Sequence, residues 1–206
     1  MSRRNPTKSQ LIQKLVRPRK GEGVLLTTIR RPLEAGDSGL DISIDLSSAP
    51  VPDRRYAADG AWIEMDDDVA RLYLVQKKAI GAGLQSILLV RIPYLGIRQF
   101  MKSMPTVAAN AREYLTRVGS KPPKEIDKTD APNQTFTVDA NIVAVAFSGR
   151  EACIDLYHAS PYVIHGLKSG GDFYAEPVAR INLGTQVLLD IYDTIDRNSH
   201  LIPADE

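Results

Sequence analysis

The sequence predicts an α+β fold of two pseudo-repeated antiparallel sheets, each followed by a C-terminal amphipathic helix. Three observations carry this. Residues 56–104 and 136–195 repeat one order: apolar strand, polar turn, strand, loop, strand, helix. Ahead of the first unit, Leu40–Leu46 alternates apolar and polar residues with a period of two, the mark of a half-buried strand. Each unit then closes on an Arg-Ile strand end, Val90-Arg91-Ile92 or Ala179-Arg180-Ile181, followed directly by a helical apolar stripe.

The elements follow in order. In residues 1–23, Leu11, Ile12, Leu15 and Val16 fall at helical spacing after Ser9, an N-cap residue type, and Pro18 and Gly21 end the short helix. Val24–Ile29 is β-branched and reads as a strand, stopped by Pro32. Leu40, Ile42, Ile44 and Leu46 alternate with polar residues and share one face of a half-buried strand. The first unit is expected to place strands at about 40–46, 57–65, 70–76 and 86–92 in one antiparallel sheet. Its helix spans 94–104, with Ile97, Phe100, Met101 and Met104 on one face. Pro105 then suits the first turn of a second helix, reaching Tyr114 or Val118. In the second unit, strands at about 136–146, 151–158 and 173–181 precede a helix at 184–197 carrying Val187, Leu188, Ile191, Tyr192 and Ile195. The tail after Asn198 reads as loose.

This divides the chain into a basic arm (1–23), a first α+β copy (24–115), a Pro-containing polar linker (116–135) and a second copy with tail (136–206). Hydrophobic residues at 43% and charged residues at 25% fit a soluble globular protein. The longest apolar run, Ile142–Phe147, is too short to cross a bilayer. The N-terminus lacks the apolar stretch of a secretory signal. A single cysteine, Cys153, forbids an intrachain disulfide, so a cytoplasmic location is expected.

The segments Leu40–Leu46, Tyr56–Met65, Leu72–Val75, Arg91-Ile92 and Phe100-Met101 resemble a small strand-rich bacterial domain, and the resemblance implies a tandem duplication. Phe136–Val145, Ile154–Tyr157, Arg180-Ile181 and Leu188-Leu189 supply its second copy. The order of antiparallel strands then helix is similar to the export chaperone SecB and its relatives, which implies a SecB-like fold and protein binding. The chain departs from that pattern at the helix starts, Tyr94-Leu95-Gly96 and Leu183-Gly184-Thr185. At 6% aromatic residues, no exposed aromatic client groove is evident.

Candidate chemistry is sparse. Glu64-Met65-Asp66-Asp67-Asp68 offers oxygens to a hard cation but also suits a hairpin turn, and its counterpart Ser148-Gly149-Arg150 is a poor cation site. His158, His165, His200, Cys153 and Asp155 match no metal-ligand or nucleophile spacing. Cys153 and Asp155 share a strand face opposite His158, and Cys153 reads as a core residue. Neither Gly81-Ala82-Gly83-Leu84 nor Gly166–Gly171 has phosphate-loop spacing. No enzyme activity, metal or cofactor is therefore expected.

The strongest functional feature is the arm. Arg3, Arg4, Lys8, Lys14, Arg17, Arg19 and Lys20 stand in twenty residues with no acid. Three roles fit: a contact to phosphates, a solubilising tail, or an element docking on an acidic partner through Leu11, Ile12, Leu15 and Val16. Trp62 is the second candidate. Alternation puts Ile63 and Met65 toward the core and turns Trp62, with Glu64, to the opposite face as a partner surface. The leading expectation is a non-catalytic assembly subunit or SecB-like adaptor, an oligomer or pseudo-dimer that binds other protein subunits and not membranes. The alternative is an accessory subunit contacting nucleic acid nonspecifically through the arm.

Overall fold

The computed structural model describes residues 24–32, 40–46, 49–66, 68–80, 83–120, 136–160 and 172–203. The arm candidates Arg3 to Lys20, most of the linker and His165 lie outside the described residues. The chain parts into two compact units. The first holds β1 (Val24–Pro32), β2 (Leu40–Asp45) and the start of β10 (Asp172–Gly184), in the antiparallel order β2-β1-β10. Residues 40–46 therefore do not join the sheet of residues 57–92, as the sequence suggested. β2 pairs with its immediate predecessor β1, the pairing that closes the shorter loop.

The second unit, residues 50–160 and 177–206, is α+β, and its described residues form two four-stranded sheets and two helices. Its first sheet runs β4 (Gly60–Met65), β5 (Val69–Lys77), β6 (Leu84–Pro93) and β7 (Thr137–Asp139). Its second runs β8 (Ile142–Ser148), β9 (Glu151–His158), the latter part of β10, and β3 (Arg55–Ala58). The first three strands of each order are neighbours in chain sequence, and β4–β5, β5–β6 and β8–β9 run antiparallel, as expected. The fourth is parallel and comes from the other half: β7 pairs with β6, and β3 with β10.

Tyr56–Met65 and Phe136–Val145 are thus not single strands. Each breaks where it leaves one sheet for the other, and an Asx residue sits at each break. The Asp59 N–H donates to the Val75 carbonyl (2.8 Å), and the Asp59 carboxylate accepts from the Lys77 N–H (2.8 Å). Asn141 repeats this with the Tyr157 carbonyl (3.0 Å) and the Ala159 N–H (2.8 Å), and its amide also donates to the Ala159 carbonyl (2.6 Å). The side chains bond backbone groups that a changing ladder would otherwise leave unpaired.

Helix α1 (Tyr94–Arg117) is continuous through Pro105, where the sequence suggested a break. Phe100, Met104, Ala108, Ala111 and Leu115 form one buried stripe across the proline, so packing holds the helix despite the lost donor. Helix α2 (Thr185–Arg197) matches its expected span, and Ser199–Leu201 adds a 3-10 turn where a loose tail was read. α1 packs on β8 and β6, α2 on β4 and β9, and the helices touch each other. Each helix therefore covers the first strand of the opposite half, and one core joins both halves. Gly96 makes this approach possible: a Cβ there would lie 2.9 Å from the Asn141 carbonyl oxygen.

The helix starts are tied to the hairpin turns. The Tyr94 hydroxyl donates to the Asp66 carbonyl. The Thr185 hydroxyl donates to the Gly149 carbonyl (2.8 Å), and its N–H to the Arg150 carbonyl (2.9 Å). Aligning the helix starts pairs Leu89 with Arg180 and Arg91 with Asn182. The two Arg-Ile pairs thus sit on the same face but two positions apart, which corrects the match read from the sequence.

Candidate functional site

In the first sheet, the face turned from the helices carries Trp62, Tyr73, Leu89 and Thr137 in one cross-strand row. The next row holds Glu64, Arg71, Arg91 and Asp139. Ile63 and Met65 pack against the core, while Trp62 is half-buried on the other face, as alternation required. Trp62 and Tyr73 stack with ring centroids 5.2 Å apart and planes inclined by 17°. The Tyr73 hydroxyl donates to Glu64 (2.9 Å), and burial together with that carboxylate raises the phenol above its ordinary pKa. Just before β7, Phe136 is 55% exposed, with the Arg54 guanidinium 5.7 Å from its ring centre.

The charged row is partly paired within itself. Arg71 meets Asp66 at 2.6 Å, and Arg91 lies 3.5 Å from Asp139. These groups are exposed, so each pair contributes at most about 1 kcal/mol. Asp66 and Asp68 belong to the β4–β5 hairpin, and Asp67 lies outside the described residues.

The matching face of the second sheet differs. Ala144 takes the place of Trp62, and Asp155 with Arg180 take those of Tyr73 and Leu89. Asp155 and Arg180 make two hydrogen bonds of 2.6 Å, Nε to Oδ1 and an outer nitrogen to Oδ2, and the carboxylate holds the guanidinium above its ordinary pKa. Tyr157 beside them is buried and donates to the Pro50 carbonyl (3.0 Å), and burial pushes its phenol up to about 12. Cys153 shares this outer face with Asp155, as read, but it is half-buried there and not part of the core. Burial, and then Asp155, push its thiol up, away from nucleophilic use. His158 ends β9 and His200 sits in the 3-10 turn.

A narrow apolar cavity of about 20 Å³ lies between Leu72, Phe100, Val143, Ile154 and Ile191. It is far smaller than the roughly 300 Å³ an organic ligand needs. Of the described residues singled out in the sequence, Trp62 falls in a surface row, joined by Tyr73 and Leu89, which sequence reasoning had not selected. Alternation along β5 carries the signal for Tyr73, since Leu72 and Leu74 are core. Among the described residues, no helix is long and apolar enough to cross a membrane. Compared with protein-family models, curated proteins and solved structures, the chain matches none.

Proposed function

We propose that this chain is a non-catalytic protein-interaction or assembly subunit, of the SecB-like adaptor kind, built from a tandem duplication and working in the cytoplasm. The observation that carries the reading is the asymmetry between the two outer sheet faces. One closes on itself through the Asp155–Arg180 ion pair. The other presents Trp62, Tyr73 and Leu89, a combination of stiff aromatic area and flanking arginines enriched where proteins meet. The Asx breaks and the hydroxyl anchors at both helix starts support the duplication.

The second reading, an accessory subunit on nucleic acid, rests on the seven cations of the arm. Both are tested with a photo-crosslinking residue in place of Thr137, which is exposed on the aromatic face. The adaptor reading expects discrete protein adducts in native cells, resistant to nuclease and lost in a Trp62→Ser background. Nuclease-sensitive adducts favour the second reading. No adduct at Thr137 removes the aromatic face as the binding surface.

A further inference from the structure

We infer that β8 is a self-association edge, through which two copies pair β8 antiparallel with β8 about a two-fold axis at Val145. The proposal goes beyond the adaptor reading and uses the other sheet. Among the described residues, β8 pairs with β9 alone, in unbroken register from Ile142↔Tyr157 to Ser148↔Glu151. Its other edge therefore holds backbone donors and acceptors spaced for another strand.

Edge strands are normally protected by charge, proline, a bulge or short length. Ile142-Val143-Ala144-Val145-Ala146-Phe147-Ser148 has none of these over seven residues. The equivalent edge strand, β4, carries Glu64, Gly60 and the bulky Trp62.

The strand is also self-complementary. An axis at Val145 sets Ala144 opposite Ala146, Val143 opposite Phe147 and Ile142 opposite Ser148, so no like charges meet. Ala144 and Ala146 are small enough for the outer faces to stay flush. Val145 and Phe147 are only partly buried by their own chain. Helix α1 runs the length of β8, with Gly96 against Asn141 and Tyr114 against Gly149. It brings the half-buried Val107 and Tyr114 to the same strip.

The size of that strip fixes the strength. Seven residues at about 3.3 Å each give a strand of roughly 23 Å. A helix-and-strand band about 15–20 Å deep then covers roughly 350–450 Å² per copy. That lies below the roughly 800 Å² per partner of a tight complex, so the dimer is reversible, with a dissociation constant on the order of micromolar.

Sedimentation equilibrium on the full chain tests this. The expected result is a monomer–dimer equilibrium that Ala146→Lys weakens by about tenfold or more, since it sets two ammonium groups at the centre of the pairing. Ala146 is exposed, so the change spares the core. A second variant, Val145→Cys in a Cys153→Ser chain, is expected to form a disulfide dimer under mild oxidation, because directly opposed Cα atoms lie about 4.5–5.5 Å apart, within the roughly 4.4–6.8 Å that a disulfide spans. Trp62→Ser is expected to leave the equilibrium unchanged, which separates this test from that of the adaptor reading. A chain that stays monomeric to about millimolar concentration overturns the proposal. So does a dimer that either ignores Ala146→Lys or gives no Val145→Cys cross-link.

Discussion

Replacing the Asp155–Arg180 pair by the residues at the equivalent positions of the other sheet, Tyr73 and Leu89, tests both the energetics of the fold and the equivalence of its halves. Arg180→Leu alone leaves the Asp155 carboxylate, in a residue only 9% exposed, without its cation and its two 2.6 Å bonds. Removing one partner of a buried pair costs about 3–5 kcal/mol. The Arg180 side chain retains 24% exposure, so solvent screening lowers the expected loss to about 2–4 kcal/mol. Asp155→Tyr alone costs less, about 1–2 kcal/mol, because the long arginine can move its head toward water. The double variant puts an aromatic–aliphatic pair beside the small Ala144 and is expected within about 1 kcal/mol of the native chain. The coupling energy is then about 2–6 kcal/mol. Urea unfolding followed by far-ultraviolet dichroism and Trp62 fluorescence measures all four chains. A slope of about 2 kcal/mol/M puts the Arg180→Leu midpoint about 1–2 M lower. Additive single effects, with the double variant as unstable as their sum, would refute both the energetics and the equivalence.

Three further outcomes are expected. Gly96→Ala should destabilise the chain by about 1–2 kcal/mol in thermal melts, because the added carbon meets the Asn141 carbonyl at 2.9 Å and outweighs the gain in helix propensity; a stabilised variant refutes the close approach. Pro105→Ala should stabilise it by about 1–3 kcal/mol, since Pro105 is exposed inside α1 and blocks a helical bond; unchanged stability removes the strain argument. Tyr157 is the pH probe. Its folded pKa of about 12 lies above the ordinary 10, so its contribution is complete below pH 10 and is lost as pH rises from 10 to about 12. Native Tyr157→Phe difference titrations should show that late ionisation, and a phenol titrating near 10 contradicts the burial.

The period-two alternation of the sequence determined which face each strand turns inward. Ile63, Met65, Leu72 and Leu74 went to the core and Trp62 went outward, because side-chain direction in a strand is a local property. The stripes of α1 and α2 were legible for the same reason, as was the α+β class. Pairing partners were not legible. At Asp59 and Asn141 the inward set passes from even positions (Tyr56, Ala58; Val138, Ala140) to odd ones (Ile63, Met65; Val143, Val145), but that phase shift does not say which strand the chain joins next. β2 paired with β1 rather than with the strands after it, and α1 ran through Pro105, because neighbours distant in the chain decide ladder order and helix continuity. The aromatic face divides in the same way. Its outward direction was written in the residues around Trp62, but its assembly from β4, β5, β6 and β7 depended on a strand handed over from the other half of the chain.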